Sequence, residues 1–293
     1  IRDSTLTGQS YLELSQNERD LLTFCKENFK HTIVLINSSA AMELGFLESE
    51  EYGVEGCLWI GHPGEAGLSG VANIIAGLAN PSGKLVDTYA YDLSTAPSFY
   101  NTDNNRYVNM ADTEMYGYYQ YEEGIYVGYR YYETADAEGY FDSDAFKNAV
   151  YKNDDRDASE GGARDEEGGY DSVVQFPFGY GLSYGSFTQT IESSNIPLEL
   201  HGTNSVDVKV SNTGDYAGKQ TVELYMEAPY NTDENCGIQG RGMEKSAKVL
   251  VGFAKTDVIE PGESETVTVT FNTDDLASYD YCCLLYTSPS PRD

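Results

Sequence analysis

Positive charge is scarce in this sequence. Its 293 residues hold 18 Lys and Arg against 48 Asp and Glu, a formal net charge of −30. Such a field repels phosphate backbones, which excludes nucleic acid as a partner. Long apolar runs are missing as well. None approaches the roughly 18 residues that cross a bilayer as a helix, so no membrane span is expected. Histidine is limited to His31, His62 and His201. The cysteines are Cys25, Cys57, Cys236, Cys282 and Cys283, with neither CxxC nor Cys/His spacing, so no zinc site is expected. Cys25 and Cys57 stand among apolar residues and read as buried free thiols. Unpaired thiols favour a reducing compartment, hence the cytoplasm. The chain does not open with Met and reads as beginning inside a longer polypeptide, so the lack of a signal peptide leaves export open.

Apolar residues make up 40% of the chain, enough for a core, which excludes a wholly disordered protein. The 25 Tyr suit sugar sites, because a flat ring with a polar tip matches a sugar's C–H face and hydroxyls. Tyr also fills half-exposed β surfaces, and that plainer reading accounts for most of them.

Residues 1–95 alternate helix and strand patterns. Ser15 stands three residues before Glu18, a capping-box spacing, and Leu21, Leu22, Cys25 and Phe29 follow at helical intervals. A helix is predicted over 16–30. The run Thr32 to Asn37 and the run Cys57 to Ile60 read as buried parallel strands. Glu65 to Gly77 reads as a second helix, and Leu85 to Tyr89 as a further strand. Alternation of this kind predicts an α/β layer structure. The segment Asn80-Pro81-Ser82-Gly83 reads as a tight turn with Gly83 at positive φ. Residues 121–133 are aromatic and read as β-prone. The Gly- and charge-rich stretch near 135–172 reads as a polar surface insertion.

From Phe187 the period changes to two. Val206, Val208 and Val210 alternate with Asp207 and Lys209, and Thr221–Tyr225, Lys248–Phe253 and Ser264–Phe271 are further strands. Asn212 to Asp215 and Pro261-Gly262-Glu263 are turns between them. Short strands with regular turns predict a β-sandwich. The expected fold is thus a partial α/β layered sandwich over 1–186, then an all-β immunoglobulin-like or fibronectin type III-like sandwich over 187–281. Residues 282–293 lose the alternation and read as a non-native tail.

Four phrases in order carry a family resemblance. They are Trp59-Ile60-Gly61-His62-Pro63-Gly64-Glu65-Ala66-Gly67, Ala79-Asn80-Pro81-Ser82-Gly83-Lys84-Leu85, Glu123-Gly124-Ile125-Tyr126-Val127-Gly128-Tyr129-Arg130-Tyr131 and Phe176-Pro177-Phe178-Gly179-Tyr180-Gly181-Leu182-Ser183-Tyr184. Together they resemble the carboxyl-side half of glycoside hydrolase family 3 enzymes, typically β-glucosidases. Val210-Ser211-Asn212-Thr213-Gly214 and Leu250-Val251-Gly252-Phe253 resemble that family's fibronectin type III-like domain. The resemblance implies a retaining β-glycosidase parent acting on terminal β-linked glucosides, oligosaccharides or related sugars. It implies no cofactor.

Retaining hydrolysis needs two carboxyl groups about 5–5.5 Å apart. In the resembled family the nucleophile is an Asp on a (β/α)8 barrel, and no barrel is expected here. The acid/base is a Glu in a Gly-Glu-Gly-like phrase that normally stands just before a segment like Arg2-Asp3 to Leu12. Arg2 and Asp3 are therefore read as the remnant of that substrate loop, and no residue of the chain is assigned a catalytic role. Adjacent carboxylates at Asp154-Asp155, Glu166-Glu167 and Asp274-Asp275 lie in polar surroundings and read as solvated. Ser183 lacks the GxSxG spacing of a nucleophile elbow. His62, beside a Gly-rich turn, reads more readily as a structural residue than as a ligand contact. A stand-alone carbohydrate-binding or adhesive module without catalysis is the alternative reading.

Overall fold

The computed structural model describes residues 12–100, 121, 123–150, 168–194, 201–227, 245–277, 279–280 and 285–286. The chain divides into two compact units. One comprises residues 1–68 and 86–178, the other residues 69–85 and 179–293.

In the first unit, helix α1 (Gln16–Asn28) starts at the predicted capping box. The Glu18 carboxylate accepts hydrogen bonds from the Ser15 amide and hydroxyl, each at 2.7 Å, which satisfies a donor that a helix start leaves orphaned. Strands β1 (Ile33–Ile36) and β2 (Gly56–Trp59) pair in parallel, with Ile33 opposite Gly56 and Ile36 opposite Trp59. Their parallel direction matches the prediction, but their burial does not. Ile33 is 59% exposed and Leu35 41%, on the face opposite the buried Ile36. Cys25 on α1 is half-buried and Cys57 on β2 exposed, so the reading of both as buried thiols is corrected.

Helix α2 (Gly64–Ile75) follows close to its predicted bounds. The strand expected at Leu85–Tyr89 is displaced. Strand β3 is only Tyr89–Ala90 and pairs antiparallel with β4 (Val174–Phe176), with a bulge at Gln175. A short helix, α3 (Pro97–Tyr100), follows β3.

The β-prone reading of 121–133 is also corrected at its end, because helix α4 runs Tyr129–Ala137. Tyr132 and Ala135, three apart, face the core together, as a helical period allows and a strand period does not. Helix α5 (Asp144–Val150) and the turn before it supply Phe146 and Phe141. These rings lie 5.0 Å apart edge to face and are almost fully buried. The start of the stretch read as a polar insertion is therefore packed core, while 151–167 lies outside the described residues. Helix α6 (Tyr170–Val173) and β4 close the cluster of Ala90, Tyr132, Ala135, Phe141, Phe146, Val173 and Val174.

The second unit follows the period-two reading closely. Strands β5 (Phe187–Ser194), β6 (Thr203–Asn212) and β9 (Ser264–Asn272) form one antiparallel sheet in the order β5-β6-β9. Strands β7 (Thr221–Met226) and β8 (Val249–Lys255) form a second. Along β6 every even residue from Asn204 to Asn212 is buried. Val206, Val208 and Val210 meet Val222, Ile259, Val267 and Val269 in one core. Buried Asn212 donates to the carbonyls of Tyr216 and Ile259, and its Oδ1 accepts from Gly214 N–H at 3.0 Å. The predicted turn is thereby tied to the sandwich. Gly262 turns the chain at φ +81°. Gly83, by contrast, is not at positive φ, so that expectation is corrected. Its carbonyl is instead approached closely by Gly181. A two-residue ladder pairs β10 (Tyr279–Asp280) with β11 (Leu285–Tyr286), inside the stretch read as lacking strand alternation.

Candidate functional site

Arg2 and Asp3 lie outside the described residues, so the structure carries no geometry for the proposed loop remnant. Asp154, Asp155, Glu122, Glu166 and Glu167 lie outside them too.

The clearest concentration of chemistry in the first unit is at the carboxyl ends of β1 and β2, where open parallel sheets place ligands. The loop after β1 begins at Asn37-Ser38, and the turn after β2 is Gly61-His62-Pro63. The Trp59 indole N–H donates to the Ser38 carbonyl at 3.0 Å, joining the two loops. Gly61, at φ +55°, lies under the Trp59 ring, and a Cβ there would already sit 3.4 Å from it. His62, next in the chain, is exposed. The edge can present an aromatic face and an imidazole to a neutral ligand.

Other acidic groups of the unit are committed to structure. The Glu48 carboxylate accepts from the Tyr91 hydroxyl at 2.9 Å and from the Gln175 amide at 2.9 Å. Glu43 accepts from the Leu93 N–H, and Asp92 from the Ser94 N–H. Tyr170 donates to Glu133 at 2.6 Å. Burial, with its acidic hydrogen-bond partner, pushes each of the Tyr91 and Tyr170 phenols above its ordinary range. Sequence reasoning missed these pairs, since the partners of Glu48 lie 43 and 127 residues away.

In the second unit Asp274 Oδ1 accepts from His201 Nδ1 at 2.7 Å, on an exposed surface. Asp274 is thus an exposed but partnered group, where the sequence suggested simple solvation. Ser183 donates to Asn80 Oδ1 at 2.9 Å, a structural bond consistent with its rejection as a nucleophile. Among the described residues no three His, Cys, Asp or Glu side chains are placed to hold a metal ion, and no helix is long and apolar enough to cross a membrane.

Fold and site together define a non-barrel α/β module joined in sequence to a fibronectin-like β-sandwich. Comparison with known proteins agrees. Residues 7–129 match the profile of the glycosyl hydrolase family 3 C-terminal domain, and residues 220–282 match the fibronectin type III-like domain. A β-glucosidase of Ruminococcus albus is 32% identical over 95% of this chain and 23% of its own length. The structure of a β-glucosidase from Paenibacillus barengoltzii superposes with a TM-score of 0.69 at 28% identity, over 94% of this chain and 24% of that one. β-Glucosidase 3B of Thermotoga neapolitana, solved with α-D-glucose, gives 0.64 at 28% identity over 92% and 30%. The chain belongs to glycoside hydrolase family 3. It spans about a quarter of the length of the relatives it matches, and corresponds to their C-terminal α/β and fibronectin type III-like regions.

Proposed function

We propose that this chain is the non-barrel part of a retaining β-glycosidase that removes terminal β-linked glucosyl or related residues. The observation that supports this most directly is the 32% identity to a β-glucosidase across 95% of the chain. In this reading the (β/α)8 barrel of the parent supplies the nucleophilic Asp, and a loop next to Arg2 and Asp3 supplies the acid/base Glu. The ligand is a β-linked glucoside or oligosaccharide. The domain limits expected from the sequence, 1–186 and 187–281, are revised in our proposal: residues 69–85 and 179–186 go with the sandwich, and Leu285–Tyr286, inside the stretch read as a tail, pair with β10.

A glycosidic bond needs an acid to protonate the leaving oxygen and a nucleophile at the anomeric carbon. Glu48, Glu43, Asp92, Glu133 and Asp274 are each bonded to a phenol, an amide, a backbone N–H or an imidazole, and no carboxylate of the chain is assigned a catalytic role in this reading. The isolated chain is therefore expected not to hydrolyse nitrophenyl β-glucoside or β-xyloside above background, whereas the intact parent does. Assaying the two side by side tests this. Turnover by the isolated chain that is abolished by changing one of its carboxylates would overturn the assignment of chemistry. A parent inert on a broad panel of β-glycosides would favour the binding-module reading.

A further inference from the structure

The family profile assigns residues 80–85 to the α/β domain, since its match runs from 7 to 129. The hydrogen bonds of these residues point elsewhere. Asn80 Nδ2 donates to the Ala217 carbonyl at 3.0 Å. Its Oδ1 accepts from the Ser183 hydroxyl and from the Tyr184 N–H, both at 2.9 Å. Lys84 Nζ donates to the Gly181 carbonyl at 2.7 Å, and Lys255 on β8 donates to the Ser82 carbonyl at 2.9 Å. Backbone bonds continue the series, from Leu85 N–H to the Tyr180 carbonyl and from Gly179 N–H to the Leu85 carbonyl, each at 2.8 Å.

Two glycines of the sandwich make room for this segment. A Cβ on Gly218 would stand 2.7 Å from Asn80 Nδ2, closer than real Cβ atoms come, and a Cβ on Gly181 would overlap the Gly83 carbonyl oxygen. Both sides are fitted to each other, one by donors and acceptors, the other by missing side chains. Burial also pulls the Lys84 ammonium below its ordinary pKa, as expected for a cation pressed against packed backbone.

We propose that residues 80–85 are a strap of the β-sandwich, so that the fibronectin type III-like fold is a discontinuous unit whose stability depends on a segment more than a hundred residues upstream of its first strand. Asn80 is the central pin because one side chain serves three partners, Ala217 in the sandwich and Ser183 and Tyr184 just before its first strand. A lost hydrogen bond in a partly buried site weakens the fold, and the effect falls on the cooperative unit that contains the bond.

The test is hydrogen exchange on the full chain, read by mass spectrometry peptide by peptide. Asn80→Ala is expected to raise exchange in β6 and β9 by about tenfold to a hundredfold. In α4 and the β3–β4 pair the same change is expected to stay under about twofold. Unchanged exchange in β6 and β9, or an equal rise in both units, would overturn the strap. If Asn80→Ala does not yield folded protein, Lys84→Met keeps the packed stem and removes only the donor to the Gly181 carbonyl. Its expected rise in β6 and β9 is about twofold to tenfold. Gly218→Ala attacks the Asn80 contact from the sandwich side and should give the same pattern. Loss of protection confined to α4 and β4 in either variant would refute the proposal.

Discussion

In the second unit, strands β6 and β9 turn their valines inward onto Val222 and Ile259 and their polar residues outward, and the sandwich buries its own core. The first unit is built differently. Its aromatic cluster around Phe141 is closed, yet the parallel pair β1–β2 and helix α1 leave Leu21, Phe24, Phe29, Ile33 and Leu35 between 41% and 61% exposed. Parallel sheets are covered on both faces in stable α/β layers, and here Ile36 is buried while Ile33 and Leu35, on the opposite face, stay exposed. The lesson is that an antiparallel module of alternating strands closes its core on its own valines and needs only the 80–85 strap from upstream, whereas a short parallel pair depends on further layers.

Removing the Phe141 ring is the strongest way to break this comparison. Phe141→Ala is expected to cost about 3–5 kcal/mol, in the first unit only. Exchange in α4 should rise steeply while β6 stays protected. The counterpart in the sandwich, Val210→Ala, removes less volume from an equally buried site and should cost about 2–3 kcal/mol, with β6 and β9 opening instead. If both substitutions melt both units together, the two are one cooperative fold and the contrast fails.

Alkali should sharpen the difference. Burial pushes the Tyr132 and Tyr89 phenols to about 12 from an ordinary value of 10.0. The folded state thus holds these protons more tightly than the unfolded chain. The stability they contribute is fully present below about pH 10 and is lost as pH rises toward 12. Amide exchange of α4 against β6 in that window is the measurement, with α4 expected to open first. Weakest of all should be the surface pair of His201 and Asp274. With both side chains about half exposed, Asp274→Asn is expected to change stability by under about 1 kcal/mol. A larger loss in thermal unfolding would mark the pair as part of the sandwich's support.

Local chemistry was legible where it was self-contained. The Ser15–Glu18 box, the parallel pairing of two short apolar runs, and the even-numbered valines of β6 all followed from spacing, because caps and strand faces are fixed by neighbours in sequence. The candidate site was less legible. Trp59 and His62 were visible as a phrase, but the bond from Trp59 to Ser38 bridges 21 residues, and Glu48 finds Gln175 across 127. Nothing in a one-dimensional pattern marks such partners.

By itself, then, the sequence determined the order of elements, the change from helical to strand period at Phe187, and the family, since these rest on residue type and local spacing. Tertiary structure alone decided that Tyr129–Ala137 is a helix, because its gain comes from placing Tyr132 and Ala135 in a core that Phe141 and Phe146 complete. It also decided that Gly83 keeps an ordinary φ, and that Asn80 and Lys84 serve the sandwich, since close approach between distant loops depends on where the whole chain runs.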